Sequence, residues 1–298
     1  MSIPVRGRFA PSPTGPLHFG SLVAAVGSYL DARSQGGEWL VRIDDLDQPR
    51  MVAGMADDIL HTLEAFGLGW DGEVVYQSRR DDLYRAALAQ LEKSGVVYGC
   101  ACSRKEIADS TIGRDGASIY PGTCRAGLAP GKTARALRLR VDGRVIAFED
   151  GVRGRIRQQL AEEVGDFVIR RADGLFAYQL ATVVDDAAQG VTQVVRGGDL
   201  LDSTPRQIYL QTLLGLPVPS YAHLPVAVDA RGEKLGKQTQ APTVSSSRPV
   251  LVLWAVLSFL GQQPPAALRE AGLDEFWLWA VKNWRRVLIP PLNTKQIT

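Results

Sequence analysis

The 298-residue sequence predicts an α/β fold: an open parallel sheet with helical crossovers, split by a mixed α/β insertion and followed by a short helical region. Three observations predict it. Strand-like and helix-like segments alternate over the first hundred residues, and such alternation implies parallel strands joined by crossover helices. From residue 98 to about 190 the pattern shifts to short alternating strands. After 190 the first pattern resumes, and beyond 240 the chain reads as helical. Taken in order, residues 6–10 form a short strand that leads into the turn-rich PSPTGP. Ser21 is placed to cap a helix in which Leu22, Val23, Val26, Tyr29 and Leu30 share one face, and Gly36-Gly37 stops it. Residues 39–43 are a buried strand. Met55, Ile59 and Leu63 mark a helix over 52–66 ended by Gly67, and a third helix over 81–93 ends at Gly95. In the insertion, Leu137, Leu139 and Val141 alternate with Arg138 and Arg140 as in a half-exposed strand. Residues 167–171 and 175–184 flank Asp173-Gly174, a hairpin signal. A strand over 191–196, a helix after Ser203-Thr204-Pro205 and a strand over 224–228 follow, and Pro264-Pro265 separates two terminal helices. The expected division is 1–97 and 191–240 for the two halves of the core, 98–190 for the insertion and 241–298 for the helical region.

Composition narrows the class of protein. With 34 Lys+Arg against 32 Asp+Glu and 45% hydrophobic residues, the chain has the apolar content of a folded protein, which excludes disorder. No secretory start is expected, because MSIPVRGRFAPSPTG has no apolar stretch and Pro4, Pro11, Pro13 and Pro16 break any helix. The longest apolar run, 250–260, falls well short of the ~20 residues that span a bilayer, so it reads as a buried helix and no membrane partner is expected. A net charge of +2 neither announces nor forbids a nucleic-acid partner. Three cysteines, an odd number, point to a reducing cytoplasm. All three lie between residues 100 and 124, a clustering that needs a reason.

Two motifs carry chemistry. Residues 8–21, RFAPSPTGPLHFGS, lie between the first strand and the first helix, where open α/β sheets bind ligands. A helix N-terminus there offers N–H groups to a phosphate, Gly15 and Gly20 permit close approach, and His18 supplies a polarising donor. Neither a dinucleotide fingerprint nor a P-loop occurs there. In isolation, His-x-Gly in a proline-rich turn is an ordinary surface feature. Lys234 and Lys237, three apart after a late strand, can close over a triphosphate, although a lone pair of this kind is usually a solvated turn. Cys100-Ala101-Cys102 with Tyr120 and Cys124 puts three thiols and a phenol in one segment; thiolates are good zinc ligands, a structural site wants four donors, and buried free thiols are the plain alternative.

The whole string RFAPSPTGPLHFGS resembles the signature of the glutamyl-tRNA synthetase family of class I aminoacyl-tRNA synthetases, in which HIGH here takes the form His18-Phe19-Gly20-Ser21. The resemblance extends over roughly residues 5 to 260. It implies a Rossmann-like nucleotide-binding core and makes 234–238 (KLGKQ) the counterpart of the KMSKS loop, with Gly236 and Gln238 in place of serines. His18 and Lys237 would then be catalytic, with His18, Gly20, Lys234 and Lys237 on ATP and Mg²⁺ accompanying its phosphates. Arg8, Phe9, Ala10, Pro11, Ser12, Asp44, Tyr178 and Arg196 would line a pocket for L-glutamate. Two arginines and one acid suit a ligand with two carboxylates and one amine. Asp44 stands in the segment RIDD where the family usually has Glu. On their own, Asp44, Asp45 and Asp47 would also suit a solvated loop or a magnesium site. The short relatives within the family carry Cys-x-Cys…Tyr-x₃-Cys as a zinc site, which implies one structural Zn²⁺ on Cys100, Cys102, Tyr120 and Cys124. Only about 60 residues follow Lys237, so no anticodon-binding region of the usual size is expected. In these features the chain looks like the branch that activates glutamate without tRNA and transfers it to queuosine in tRNA(Asp), acting as a monomer. A minimal enzyme charging the tRNA 3′ end and a non-catalytic paralogue that binds tRNA or glutamate are the alternatives. The Arg153, Arg155, Arg157 alternation reads as one exposed strand face, with phosphate contact as the alternative, and His61 and His223 as packing or surface histidines.

Overall fold

The computed structural model describes residues 4–108, 112, 118–234 and 244–297. The first half of the chain lays down β1 (Arg6–Phe9), α1 (Phe19–Arg33), β2 (Glu38–Ile43), α2 (Met55–Ala65), β3 (Val75–Tyr76) and α3 (Asp81–Lys93). β1, β2 and β3 pair in parallel, Arg8 opposite Leu40 and Arg42 opposite Val75. Next come β4 (Val97–Cys100), α4 (Arg104–Ala108), β5 (Ala136–Leu139), β6 (Val145–Asp150), β7 (Gly154–Gln159), α5 (Leu160–Glu163) and β8 (Phe167–Arg170). Here β4, β5 and β8 form a small antiparallel sheet, and β6–β7 is a hairpin. The chain then returns through α6 (Tyr178–Ala188), β9 (Gln193–Gly197), α7 (Thr204–Leu214), β10 (Ser220–Leu224) and β11 (Val226–Val228). It ends with α8 (Pro249–Phe259), α9 (Leu273–Asn283) and β12 (Thr294–Gln296).

β9 lies beside β1, where Thr192 N donates to Arg6 O at 3.0 Å, and β10 pairs in parallel with β9. The order β3-β2-β1-β9-β10 is therefore a doubly wound sheet whose strand order reverses between β1 and β9. Ligands bind outside the carboxyl ends of strands at such a reversal. β6 extends the sheet, parallel to β10 with Asp150 opposite Tyr221. One apolar core lies between this sheet and α1, α2, α8 and α9. A second gathers α3, α6 and α7 with β5, β8 and β9.

Most expected elements form, with three instructive departures. α1 is capped by His18, and Ser21 occupies the third helical position. Ser21 N donates to His18 Nδ1 while His18 N donates to Ser21 Oγ, a reciprocal cap that no serine alone provides. The hairpin expected across Asp173-Gly174 reduces to a single bridge between Arg170 and Phe176, after which the chain turns helical. Leu180, Ala181, Val183 and Val184 are all buried, and a short, nearly continuous apolar run of this kind cannot be told from a buried strand by its sequence. The strand expected over 224–228 is divided at Pro225, which has no N–H to continue the pairing. The buried helix expected at 250–260 is α8. No helix among the described residues is long and apolar enough to cross a membrane.

Candidate active site

A cleft of about 370 Å³ opens at the carboxyl ends of β1 and β9, where the strand order reverses. Arg8 and Phe9 reach it from the end of β1, followed by Ala10, Pro11 and Ser12 from the turn and His18 and Gly20 from the start of α1. Asp44 enters just past β2, Tyr178 from the first turn of α6, Arg196 from β9, and Lys234 from beyond β11. Every pocket residue expected from the sequence thus lines one cavity except Lys237, which lies outside the described residues.

The cap on α1 also sets the chemistry of His18. Its Nδ1 accepts from Ser21 N at 3.3 Å, so the neutral ring carries its proton on Nε2, a donor suited to a phosphate oxygen. Lys234 Nζ sits at the mouth, 2.7 Å from Asp199 Oδ2.

The floor of the cleft is a buried ion network. Arg42 is wholly buried and donates through Nε to Asp44 Oδ1 at 2.8 Å and through Nη1 to Asp186 Oδ1 at 2.6 Å. Arg8 Nε meets the same Asp186 at 3.2 Å, which leaves the terminal nitrogens of its fork for a ligand in the cleft. Burial pushes the Asp44 carboxyl up to about 6, with Arg42 offsetting part of that rise. Burial opposes the ionisation of Asp186 as well, yet Arg8 and Arg42 outweigh it and hold that carboxyl below the ordinary range. Arg196 reaches the Tyr178 hydroxyl at 3.3 Å through Nη1.

A second cluster lies in the insertion, behind β4. The sulfurs of Cys100, Cys102 and Cys124 all stand within 4.8 Å of one another. Cys102 and Cys124 are 3.6 Å apart, and the Tyr120 hydroxyl is 3.5 and 3.8 Å from Cys100 and Cys102. Sulfurs bound tetrahedrally at about 2.3 Å from zinc stand about 3.8 Å apart, so the four donors fit such an ion. Arg138 covers the cluster, its guanidinium 3.7 Å from the Tyr120 ring centre and its Nε 3.3 Å from Cys100 Sγ.

Several groups that lie behind the residues lining the cleft have no motif to announce them. Asp186 is one, and the only sequence signal is a pair of acids, Asp185-Asp186, inside an otherwise apolar helix. His223 is fully buried on β10 against Asp150 and Arg196, a packing histidine by location but one embedded in charge. Arg155 and Arg157 do share an exposed strand face, whereas Arg153 turns inward and donates to the His223 carbonyl.

Residues 4–249 match the family model of the tRNA synthetases class I (E and Q), catalytic domain, and the chain belongs to that family. It is 61% identical to a protein of Dechloromonas aromatica (strain RCB) named glutamyl-Q tRNA(Asp) synthetase, over 97% of each chain. A protein of the same name from Aromatoleum aromaticum is 60% identical over 96% of this chain and 91% of its own. Among solved structures, a glutamate tRNA ligase from Elizabethkingia meningosepticum, in complex with its amino acid, superposes with a TM-score of 0.80 at 25% identity. That match covers 99% of this chain and 67% of the ligase.

Proposed function

We propose that the chain activates L-glutamate with ATP, without tRNA, and transfers it to the cyclopentenediol of queuosine at the wobble position of tRNA(Asp). The observation that carries this reading is one cleft that sets Arg8, Asp44, Tyr178 and Arg196 opposite His18 and Lys234. The shared name of the full-length relatives supports the queuosine acceptor.

Glutamate brings two carboxylates and one ammonium. Arg8 and Arg196 meet the carboxylates, Asp44 accepts from the ammonium, and Phe9, Ala10, Pro11 and Ser12 wall the pocket. The glutamate α-carboxylate attacks the α-phosphorus of ATP. A P–O bond forms, the bond to the β-phosphate oxygen breaks, and pyrophosphate leaves. His18, through its Nε2 proton, and the lysines 234 and 237 stabilise the charge that builds on the phosphate oxygens, while Gly20 lets the nucleotide approach the start of α1. Mg²⁺ arrives with ATP. A queuosine hydroxyl then attacks the acyl carbon, its proton is lost, and AMP departs. Cys100, Cys102, Tyr120 and Cys124 hold one zinc ion, whose part is to cross-link the insertion.

Incubation with ATP, labelled glutamate and tRNA with or without queuosine tests the reading. Ester label is expected only on queuosine-bearing tRNA(Asp), within the anticodon fragment after ribonuclease digestion. Label on a 3′-terminal adenosine, or labelling that ignores queuosine, overturns it.

A further inference from the structure

Arg196 is held from behind by residues to which the chemistry above gives no role. It is buried, and its Nε points at His223 Nε2 at 3.1 Å while Nη2 donates to Thr204 Oγ1 at 2.8 Å. The Thr204 hydroxyl itself lies 3.1 Å from the same His223 nitrogen. On its other side, His223 Nδ1 is 2.6 Å from Asp150 Oδ2. Asp150 Oδ1 meanwhile accepts the backbone N–H groups of Val152, Arg153 and His223 at 3.0, 2.9 and 3.2 Å. A carboxylate that collects three backbone donors is held as the anion, which only accepts. The proton between it and the ring therefore resides on Nδ1. A guanidinium only donates, so Nε2 must supply a lone pair to Arg196, and a protonated ring would set two donors face to face.

We propose that Asp150 and His223 are positioning residues that fix the plane of the Arg196 guanidinium for the substrate carboxylate, by holding a neutral imidazole with its Nε2 lone pair aimed at Arg196 Nε. This rests on the reading of Arg196 as a glutamate contact. The groups around the ring agree with a neutral state. Asp150 faces it from β6, Arg196 from β9 and Thr204 from α7. The Arg153 guanidinium binds its backbone carbonyl, and Tyr221 stacks nearly parallel to it within β10. Burial lowers the tendency of His223 to protonate, Asp150 offsets part of this, and the two arginines add to it, leaving a value of about 4. Arg196 is thereby aligned on both edges, with the Tyr178 hydroxyl taking Nη1 at the cleft.

Two measurements on the full chain test the proposal. Nitrogen-15 NMR of labelled histidine resolves three rings, and substitution of His223 assigns its signal. The His223 ring is expected to remain the neutral Nδ1–H tautomer from about pH 5.5 to 8, a range in which an ordinary histidine titrates. An imidazolium, or an Nε2–H ring, at neutral pH overturns the proposal. In glutamate-dependent ATP–pyrophosphate exchange, His223→Phe is expected to raise the KM for glutamate roughly tenfold and leave that for ATP unchanged, as loss of one hydrogen bond to a charged group implies. His223→Gln, whose amide oxygen can accept from Arg196, is expected to recover most of that loss. An equal rise in both KM values, or a fall in kcat alone, overturns the proposal. Arg196→Lys separates the two layers of argument. If it leaves the glutamate KM unmoved, the pocket reading fails. If it raises that KM while His223→Phe does not, only the positioning claim fails. Should His223→Phe not fold, the tautomer measured in the unaltered protein decides.

Discussion

At Asp44 the ligand's demand and the protein's own electrostatics meet on one carboxyl. It is nearly buried, which favours its neutral form, and the neighbouring Arg42, with a smaller part from Arg8, keeps the value from rising beyond about 6. The same carboxyl must be charged to hold an ammonium. Protonation below about pH 6 therefore removes the attraction, and deprotonation above it restores the attraction. Measured by calorimetry without ATP, so that His18 has no phosphate to meet, glutamate should bind more weakly as pH falls from about 7.5 to 5.5. Asp44→Asn should flatten that dependence and bind roughly tenfold more weakly at the upper end, the usual cost of losing a charged partner. An equally steep dependence in Asp44→Asn would assign the titration to another group. Sequence pattern points to Asp44 and its neighbours because they sit in a recognisable string. It does not point to Asp186, whose importance lies in meeting two arginines from different strands.

In the insertion, the cysteine cluster proposed to hold zinc depends on backbone as well as on side chains. Gly165 lies just before β8 with φ of +73° and bridges to Tyr120, and a Cβ there would stand 2.6 Å from the Tyr120 carbonyl oxygen. No flexible side chain can yield, because the obstacle is main chain. Gly165→Ala should therefore displace the strand-like segment that carries the Tyr120 hydroxyl. We expect zinc to be lost to a chelating dye roughly tenfold faster than from the unaltered chain, at a stability cost of about 1–3 kcal/mol for the strained backbone. Zinc retention equal to that of the unaltered chain would show that Tyr120 is not part of the site. Elements of this kind differ in how far sequence reveals them. α3 is legible to the residue because its apolar positions recur on one face and charged residues fill the other. α6 is not, since its compact apolar run from Leu180 to Val184 reads equally well as a buried strand, and the acids Asp185 and Asp186 that follow it are buried too. The capping of α1 is half legible: Ser21 marks the helix start, but the reciprocal bond with His18 depends on a ring nitrogen no propensity scale records.

On the scale of the whole molecule, the terminal helical region is part of the sheet's core. α8 and α9 share one apolar cluster with α1, α2 and the strands, so the terminal segment supplies the layer that covers one face of the sheet. A polar clasp lies inside that layer. Asp31, almost wholly buried on α1, accepts from Trp284 Nε1 at 3.2 Å and from Arg286 Nε at 2.8 Å. The Arg286 side chain in turn lies against Gly151, in the turn after β6, where a Cβ would come within 3.0 Å of it. One arginine thus joins the terminal segment, the first helix and the hairpin end of the insertion. Arg286→Met keeps most of the packing but removes the guanidinium and leaves Asp31 buried with the indole as its remaining side-chain partner. Breaking one side of a buried pair costs about 3–5 kcal/mol, and the partial exposure of Arg286 lowers the expectation to about 2–3. Because the core is shared, that loss should appear in denaturant unfolding as a lower midpoint of one cooperative transition, followed alike by tryptophan fluorescence and far-ultraviolet circular dichroism. The KM for glutamate in pyrophosphate exchange should stay unchanged at room temperature, since Asp31 and Arg286 lie outside the cleft. Two separate transitions, with the tryptophans of the terminal helices melting first, would show instead that this region folds apart from the sheet it covers.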